Sequence, residues 1–271
     1  MVRQILTGST GKTVIQVLFG FLILSLFFWL MESLWPEERQ QPKFRRGMFT
    51  DTLYFFFIIP ATKIIATIGL IIGIYMTSRL LPHTGIFLTN IQSQPIWAQT
   101  IEVLFLGDLL GYWMHRIFHR TGILWPIHAI HHSSEQVDWL SSVRVHPLDT
   151  VISRLFVVIP LYIAGFSGAL LAPYTAFLTI YAIYIHANVA WDYGIFRYVI
   201  ASPTFHRWHH SAEEKALNAN FSGLLPVIDM IFGTAYFPRV KPQRYGLSTE
   251  QMSTNLFAQL WYPFRRSKQV Q

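Results

Sequence analysis

The sequence predicts an all-α fold, a polytopic membrane bundle of about four to six membrane segments with a cytosolic, His-rich helical cap. Three observations predict it. The 271 residues are 52% hydrophobic and 16% aromatic, and their 13% charged content is about half that of a soluble domain. Long apolar runs recur along the chain, with few charges inside them. Most of the 11 histidines lie between or after these runs, where a cap would form.

The first apolar run lies between Lys12 and Glu32 and has the length of a spanning helix. It is too long for a signal-peptide core, and no small-residue cleavage site follows it. The segment after it, 36–50, contains four basic residues, Arg39, Lys43, Arg45 and Arg46. Residues 1–50 are therefore expected to form an N-terminal transmembrane helix and a basic loop.

The second apolar run extends from Thr52 to Ser78 and is interrupted by Pro60 and Lys63. It fits one long kinked span or a partly re-entrant pair, and the sequence leaves both open. A loop with two prolines and a glycine follows at 80–97.

A third helix is expected over 98–119, although it is less uniformly apolar. Two further apolar runs, 151–172 and 174–191, are separated by Gly165, Gly168 and Pro173. They predict a hairpin of two spans.

Loop charge predicts the topology, because cytoplasmic loops carry an excess of Lys and Arg. Segment 36–50 is basic and 80–97 has no Lys or Arg, so the first is expected inside and the second outside. The His-rich segments 120–149 and 192–271 then share the cytoplasmic side. The lack of a fused electron carrier and of a retrieval signal at Val270–Gln271 favours a bacterial inner membrane.

Composition also excludes several functions. The chain has no cysteine, which excludes disulfides, Cys-ligated zinc and iron–sulfur clusters. Its net charge of +7 comes from short segments flanking apolar runs, which is typical of membrane-surface charge. No nucleic-acid recognition motif accompanies this charge, so nucleic acid is not an expected partner.

The histidines form three motifs that suit metal binding. On a helix, positions i, i+3 and i+4 share a face, so HxxxH presents two imidazoles to one point and HxxHH presents three. His186 lies near the end of the last span, where an ionisable group is a functional candidate. The candidate ligands are His115 and His119 (HxxxH), His128, His131 and His132 (HxxHH), His206, His209 and His210 (HxxHH), and His186.

Three other residues are assigned more loosely. Asp108 shares a helix face with His115 and His119. Its carboxylate could accept a hydrogen bond from a ligand imidazole, or could simply bond to a neighbouring span. His146 could be a ligand or a structural residue, and His83 is expected to have no role in the site.

Imidazole suits zinc, iron, copper and nickel alike. Nine histidines exceed the needs of one metal, and the absence of HExxH argues against a zinc protease. Two irons that activate O₂ are the better account, with no catalytic side chain expected beyond the ligands. The alternatives are a zinc-dependent membrane hydrolase and a non-catalytic metal-binding membrane protein.

Further motifs surround the histidines. Asp108, Tyr112 and Trp113 precede His115-Arg116, and the stretch 131–147 reads HHSSEQVDWLSSVRVHP. His186-Ala187-Asn188, the box at 202–211, and Asn220-Phe221 with Asp229 and 232–234 follow. In this order the motifs resemble those of the fatty acid hydroxylase superfamily, also called the sterol desaturase family, over roughly residues 50–235.

The resemblance implies a membrane di-iron oxygenase that hydroxylates or desaturates a lipid such as a sterol or fatty acyl chain. O₂ would be the co-substrate, and electrons would come from a separate reductase with a ferredoxin or cytochrome b5-like carrier. The nine histidines match the ligand positions, while Arg144, Asn188 and Asn220 match supporting positions. Residues 51–240 would form the catalytic domain and 241–271 a C-terminal tail.

Overall fold

The computed structural model describes residues 9–80, 90–248 and 251–265, with side chains from residue 15 onward. Within these ranges the regular structure is helical, apart from an isolated antiparallel bridge between Ser211 and Tyr245. The all-α prediction is confirmed.

The described helices fall into long and short ones. The long helices are α1 (Ser9–Leu34), α3 (Ile59–Leu80), α4 (Ile96–Arg120), α6 (Pro147–Ala164) and α7 (Gly168–His186). The short ones are α2 (Met48–Leu53), α5 (Trp125–His132), α8 (Pro203–His209), α9 (Pro226–Ile231) and α10 (Leu256–Trp261). Short 3₁₀ segments cover Trp139–Val143, Gly194–Tyr198, Glu214–Ala216 and Tyr262–Phe264.

Four helical segments of the described chain are long and apolar enough to cross a membrane. They are Ile15–Leu34, Met48–Leu80, Pro147–Ala164 and Gly168–His186. In Ile15–Leu34 and Met48–Leu80 more than half of the large apolar side chains are exposed, as expected for helices that face lipid rather than water. In Pro147–Ala164 and Gly168–His186 most of them are half-buried or buried.

The run around Pro60 is one continuous helical segment and not a re-entrant pair. Helix α2 passes through a π-helical turn, Tyr54–Ile58, directly into α3. Pro60 lacks an N–H, and its ring collides with the carbonyl of Phe56 in a regular α-helix. A π turn at this point accommodates the proline without ending the helix.

The predicted hairpin is α6 and α7, but its turn comes earlier than the sequence suggested. Helix α6 ends at Gly165, whose φ of 114° favours glycine, and Ser167 caps α7 by accepting from the backbone N–H of Leu170. Gly168 and Pro173 therefore lie inside α7 and do not separate the helices.

Helix α4 extends through the bundle as far as this hairpin does. Near its start, the side chain of Gln92 donates to the carbonyl of Gly165 at the α6–α7 turn. Farther along, Gly107 faces the ring of Tyr174 in α7. The expected third helix is thus confirmed. It contains four charged residues and is not among the four segments that are apolar enough to cross a membrane.

The ends of the long helices meet in one cap. Glu32, near the end of α1, accepts from the backbone N–H groups of Trp139 and Asn188 at 3.0 and 2.9 Å. Both acceptor bonds converge on one carboxylate oxygen, which joins α1, the 3₁₀ segment and the end of α7. Which side of the membrane the cap faces stays a prediction.

A buried ion network clamps α2 to this cap. Asp51 is fully buried and pairs with Arg144 at 2.6 Å and with Arg45 at 2.7 Å. Arg45 also binds Asp138 through two hydrogen bonds of 2.5 and 2.7 Å. Because each charge is paired within the network, the cost of burying it is offset by bidentate hydrogen bonds.

The close approach of α4 and α7 at Gly107 yields a prediction. A Cβ at this position would lie 1.9 Å from the Tyr174 hydroxyl and 2.5 Å from its ring carbon Cζ. Gly107→Ala is expected to destabilise the protein by about 1–3 kcal/mol, because the buried ring must move. Thermal unfolding in detergent measures the effect.

The matched control is Gly111→Ala, one turn along the same helix, where a Cβ meets no atom within 4 Å. It should leave stability unchanged or raise it by up to about 1 kcal/mol through helix propensity. Adding Tyr174→Phe to Gly107→Ala should recover part of the loss. Equal melting temperatures for the two alanine variants would contradict the packing described.

Candidate metal centre

Helix ends deliver the histidines to the cap. The last turns of α4 supply two of them, α5 supplies three, α7 ends on His186, and α8 with its C-cap supplies the rest. The structure brings all nine predicted ligands into two groups, in each of which the potential ligand atoms lie within 4.8 Å of one another. The first group is His115, His119, His128, His132 and His209, and the second is His131, His186, His206 and His210.

Each HxxHH motif serves both groups, which differs from the expectation that it would present three imidazoles to one point. In α5, His128 and His132 enter the first group while His131 enters the second. In the other motif, His206 and His210 belong to the second group and His209 to the first. The i, i+4 pair stays together, because the residue at i+3 projects about 100° away from the one at i+4.

In the first group, three Nδ1 atoms bind fixed acceptors. His115 donates to the carbonyl of Phe221 at 2.7 Å, His209 to the carbonyl of Ala219 at 2.8 Å, and His128 to the carboxylate of Asp149 at 2.7 Å. These acceptors hold the proton on Nδ1 and leave the Nε2 lone pair free to bind a metal.

The second group is fixed in the same way. His131 donates through Nδ1 to the carbonyl of Arg144 at 3.3 Å, and His186 donates to the carbonyl of Ala182 at 2.5 Å. The tautomers follow from these partners, since a carbonyl oxygen can only accept.

In both groups, histidine ring nitrogens face each other in a way that favours a bound cation. The Nε2 atoms of His115 and His128 are 3.0 Å apart, and those of His131 and His186 are 3.1 Å apart. When each of these rings carries its proton on Nδ1 alone, no proton lies between the facing nitrogens. Two lone pairs at this distance repel each other unless a positive ion lies between them, and imidazole is a common ligand of such ions.

Unpartnered ring nitrogens add to this fit. The buried Nε2 of His209 and both ring nitrogens of His119 have no hydrogen-bond partner. Buried polar atoms are ordinarily paired, so an orphaned nitrogen aimed into a histidine group is a candidate for a metal bond. The donor set therefore fits two metal ions.

Burial keeps the cap histidines in the neutral form that binds metal. Desolvation lowers the pKa of His209 to about 3, with further lowering by His128 and His186. It also holds the pKa of His131, His132, His206 and His210 well below the usual value, reinforced by neighbouring imidazoles. These five rings are uncharged at neutral pH.

Asp108 does not contact a histidine. Its carboxylate accepts from the backbone N–H groups of Gly223 and Leu224 at 3.0 Å and of Leu225 at 2.7 Å. Of the two roles that the sequence allows for Asp108, the hydrogen bond to a ligand imidazole is instead formed by Asp149. Asp108 instead anchors the segment 219–225, whose carbonyls orient two ligands of the first group.

Asn220 and Asp229 fix the same segment from the other side. Asn220 has a φ of 58° and binds the backbone of Phe205 and Tyr236 through its amide. Asp229 accepts from the N–H groups of Phe221 and Ser222 at 2.7 and 2.8 Å. Both residues thus act on the ligands through the carbonyls at 219 and 221.

The other supporting candidates act on the backbone of the cap. Asn188 exchanges hydrogen bonds with the backbone of Glu38, which closes the loop after α1 onto the end of α7. Arg144 contributes its carbonyl to His131 and its guanidinium to Asp51. His146 lies in neither group: it caps α6 through Nδ1 and binds the carbonyl of Leu260 through Nε2. His83 lies outside the described residues.

Asp149 is the functional residue that the sequence reasoning missed. It lies in the first turn of α6, where an acidic residue is common for reasons of helix dipole alone. Its contact with His128 spans 21 residues, and no local spacing rule connects the two. The only sequence signal was a carboxylate at the start of a span that follows a His-rich segment.

Residues 100–234 match the protein family described as fatty acid hydroxylase. This match includes every histidine of the two groups. The chain belongs to the fatty acid hydroxylase superfamily.

Curated members of the superfamily support the assignment. The chain is 29% identical over 245 residues to the ornithine lipid hydroxylase OlsE of Rhizobium tropici, covering 88% of this chain and 72% of the relative. It is 30% identical over 170 residues to the alkylglycerol monooxygenase of Danio rerio, covering 62% of this chain but 37% of the relative. The chain is 29% identical over 182 residues to a very-long-chain aldehyde decarbonylase of Oryza sativa, and the match covers 28% of that relative.

These relatives are lipid enzymes by name, and four helical segments of the described chain are long and apolar enough to span a bilayer. No solved structure matches the chain. The chain spans well under half the length of the alkylglycerol monooxygenase and of the decarbonylase.

The carboxylate on His128 yields a prediction for this superfamily member. Asp149→Asn should lower metal affinity about 10–100-fold, because the neutral amide polarises and orients the imidazole less strongly. Chelator titration with metal analysis of the purified chain measures the change. Asp192→Asn is the control, since Asp192 forms a half-exposed pair with Arg197. Equal affinities in both variants would contradict the role given to Asp149.

Proposed function

We propose that this chain is a membrane di-iron monooxygenase that hydroxylates a lipid with O₂ and two external electrons. The observation that carries the proposal is the pair of histidine groups at one end of a membrane-type bundle, with Nε2 lone pairs facing one another. A ligand set made only of imidazoles, with five in one group and four in the other, suits two iron ions and leaves room for O₂.

Two iron ions held in these groups would supply the activation of O₂ and the removal of hydrogen from an unactivated carbon. The overall reaction is R–H + O₂ + 2 e⁻ + 2 H⁺ → R–OH + H₂O. Electrons would come from a separate reductase with a ferredoxin or cytochrome b5-like carrier.

The residues of the chain position and enclose this chemistry. The carbonyls at 182, 219 and 221 hold three ligand rings in place, so the Nε2 positions are set before metal binds. Aromatic rings close around the first group: Phe118 stacks on His128 with 5.3 Å between ring centres, and Trp125 lies 5.0 Å from His119. Such a wall excludes water and so protects a reactive oxidant from side reactions.

A lipid substrate follows from the setting and from the relatives. The ligands lie at the ends of apolar helices, so a lipid can enter sideways from the bilayer without leaving it. Relatives named for an ornithine lipid and for alkylglycerols support the same class. Their names, hydroxylase and monooxygenase, favour hydroxylation over desaturation.

Placement in the cell is part of the proposal. The basic loop 36–50 contacts the cap through Arg45, and by the positive-inside rule this contact supports a site on the cytoplasmic side. A bacterial inner membrane is the proposed location, and the Rhizobium tropici relative supports it. Residues 51–240 are the proposed catalytic domain and 241–271 the proposed C-terminal tail, in which the carbonyl of Thr254 accepts a hydrogen bond from the hydroxyl of Thr50 in α2.

The first test is metal content in variants of each group. Wild-type protein is expected to hold about two irons per chain. His209→Ala removes a ligand of the first group and His206→Ala removes one of the second, so each should lose about one iron and all turnover. Iron and zinc are measured together after anaerobic loading with ferrous ion.

The control is His146→Asn, which removes a buried histidine outside both groups and keeps a side chain suited to capping a helix. It should retain both irons. Failure of the wild-type chain to bind iron after anaerobic loading would end the di-iron proposal. Product formation without O₂ or reductant would favour a zinc-dependent hydrolase instead.

A further inference from the structure

Two cationic side chains of the long helices line two cavities between α3, α6 and α7. Lys63 is in α3 and Arg154 is in α6, and both belong to segments apolar enough to span a membrane. Cations are costly at such positions and commonly mark a functional site.

Neither cation has an acidic partner among the described residues. None of the ion pairs there includes Lys63 or Arg154. Arg154 donates one hydrogen bond, to the hydroxyl of Thr179 at 3.0 Å, which leaves most of its five N–H groups without a partner. Lys63 is exposed on α3 and Arg154 is half-buried on α6, and neither positive charge is neutralised by an acidic side chain of the described protein.

The two cations border the same two cavities. The first, of about 340 Å³, reaches toward the cap and is also lined by Asp149 and Ala182. The second, of about 570 Å³, extends along the bundle past Leu70, Ile74 and Leu171. Lys63 and Arg154 line both, so they stand where the cap-side cavity meets the apolar one.

The cap-side cavity lies directly behind both metal groups. Asp149 accepts from His128 of the first group, and the carbonyl of Ala182 accepts from His186 of the second. Asp149 is the only carboxylate among the residues that line this cavity, and its oxygens are engaged by His128 and Ser153. It is therefore not a free counter-ion for the two cations.

We propose that Lys63 and Arg154 form an anion-binding pair that receives the acidic head group of the lipid substrate, a carboxylate or a phosphate. This inference rests on the proposed function, which makes the bound lipid the substrate. It adds to that function the class of the substrate's head group. The lipid tail lies in the apolar cavity, and the acidic group lies at Arg154, about one and a half helical turns from Asp149, which accepts from His128 of the first histidine group.

Charge and shape favour this occupant over a neutral lipid. A bound anion supplies the missing partner for both cations, and charge-assisted hydrogen bonds in an apolar site are stronger than neutral ones. Hydroxyl groups of Thr62 and Thr150 also line the cap-side cavity and can donate to the same oxygens. The apolar tail then packs against the remaining, apolar side chains of the cavity.

The test measures lipid binding to the full-length chain in a neutral detergent by native mass spectrometry. The probes are phosphatidylglycerol against phosphatidylcholine with identical chains, and oleate against oleyl alcohol. Wild type should prefer the acidic member of at least one pair by about tenfold or more. The pair that shows the preference distinguishes a phosphate head from a carboxylate head.

Lys63→Gln and Arg154→Gln should each lower acidic-lipid affinity about tenfold, with Arg154→Lys retaining most of it. Arg79→Gln is the matched control, because Arg79 is a cation of the same helix as Lys63 that lines neither cavity. Equal binding of acidic and neutral lipids by wild type, or equal losses in all three glutamine variants, would overturn the proposal.

A turnover assay separates this inference from the proposed function. With the acidic substrate, Lys63→Gln and Arg154→Gln should raise KM more than they lower kcat, while the iron content stays at the wild-type level. If the wild type shows no iron-dependent turnover but still prefers acidic lipids, the oxygenase proposal is rejected and the anion site stands. An unchanged KM in both variants would reject the anion site and keep the oxygenase.

Discussion

The structure depends on the hydrogen bonds that hold histidine Nδ1 protons on fixed acceptors. Four backbone carbonyls and the Asp149 carboxylate accept these protons, and the Nε2 lone pairs of the same rings converge on two points. Without a cation such a convergence is repulsive, since rings such as those of His115 and His128 face each other with no proton between them. Much of the cap exists to keep those acceptors in place.

The segment 219–225 is the clearest example. It carries no ligand, yet its carbonyl at 221 and the one at 219 orient His115 and His209. Three backbone N–H groups of the segment bind Asp108, and two more bind Asp229. Asp108 and Asp229 therefore act as anchors for a loop. Mutating them would disturb the metals through the backbone and not through a lost ligand.

The location of the groups at helix ends also has a physical reason. Imidazoles and their acceptors are polar and need partners, which the cap supplies, while the helices below it present apolar side chains outward. In the proposed function, a lipid substrate would stay in the apolar region and reach the histidine groups at its boundary. The ion network of Asp51 with Arg45 and Arg144 locks the cap to the bundle at this boundary, so the metal groups and the cavities keep a fixed relation.

The sequence by itself determined the helical class, the apolar segments and the nine histidines that would lie together, because these follow from hydropathy and from i, i+4 spacing. It could not divide the histidines between two groups, since that division depends on how α4, α5, α7 and α8 pack. Only the tertiary structure decided that His128 takes Asp149 as its acceptor and that Asp108 binds a loop instead. Contacts between residues distant in the chain carry no local periodicity, so they become visible only when the helices are assembled.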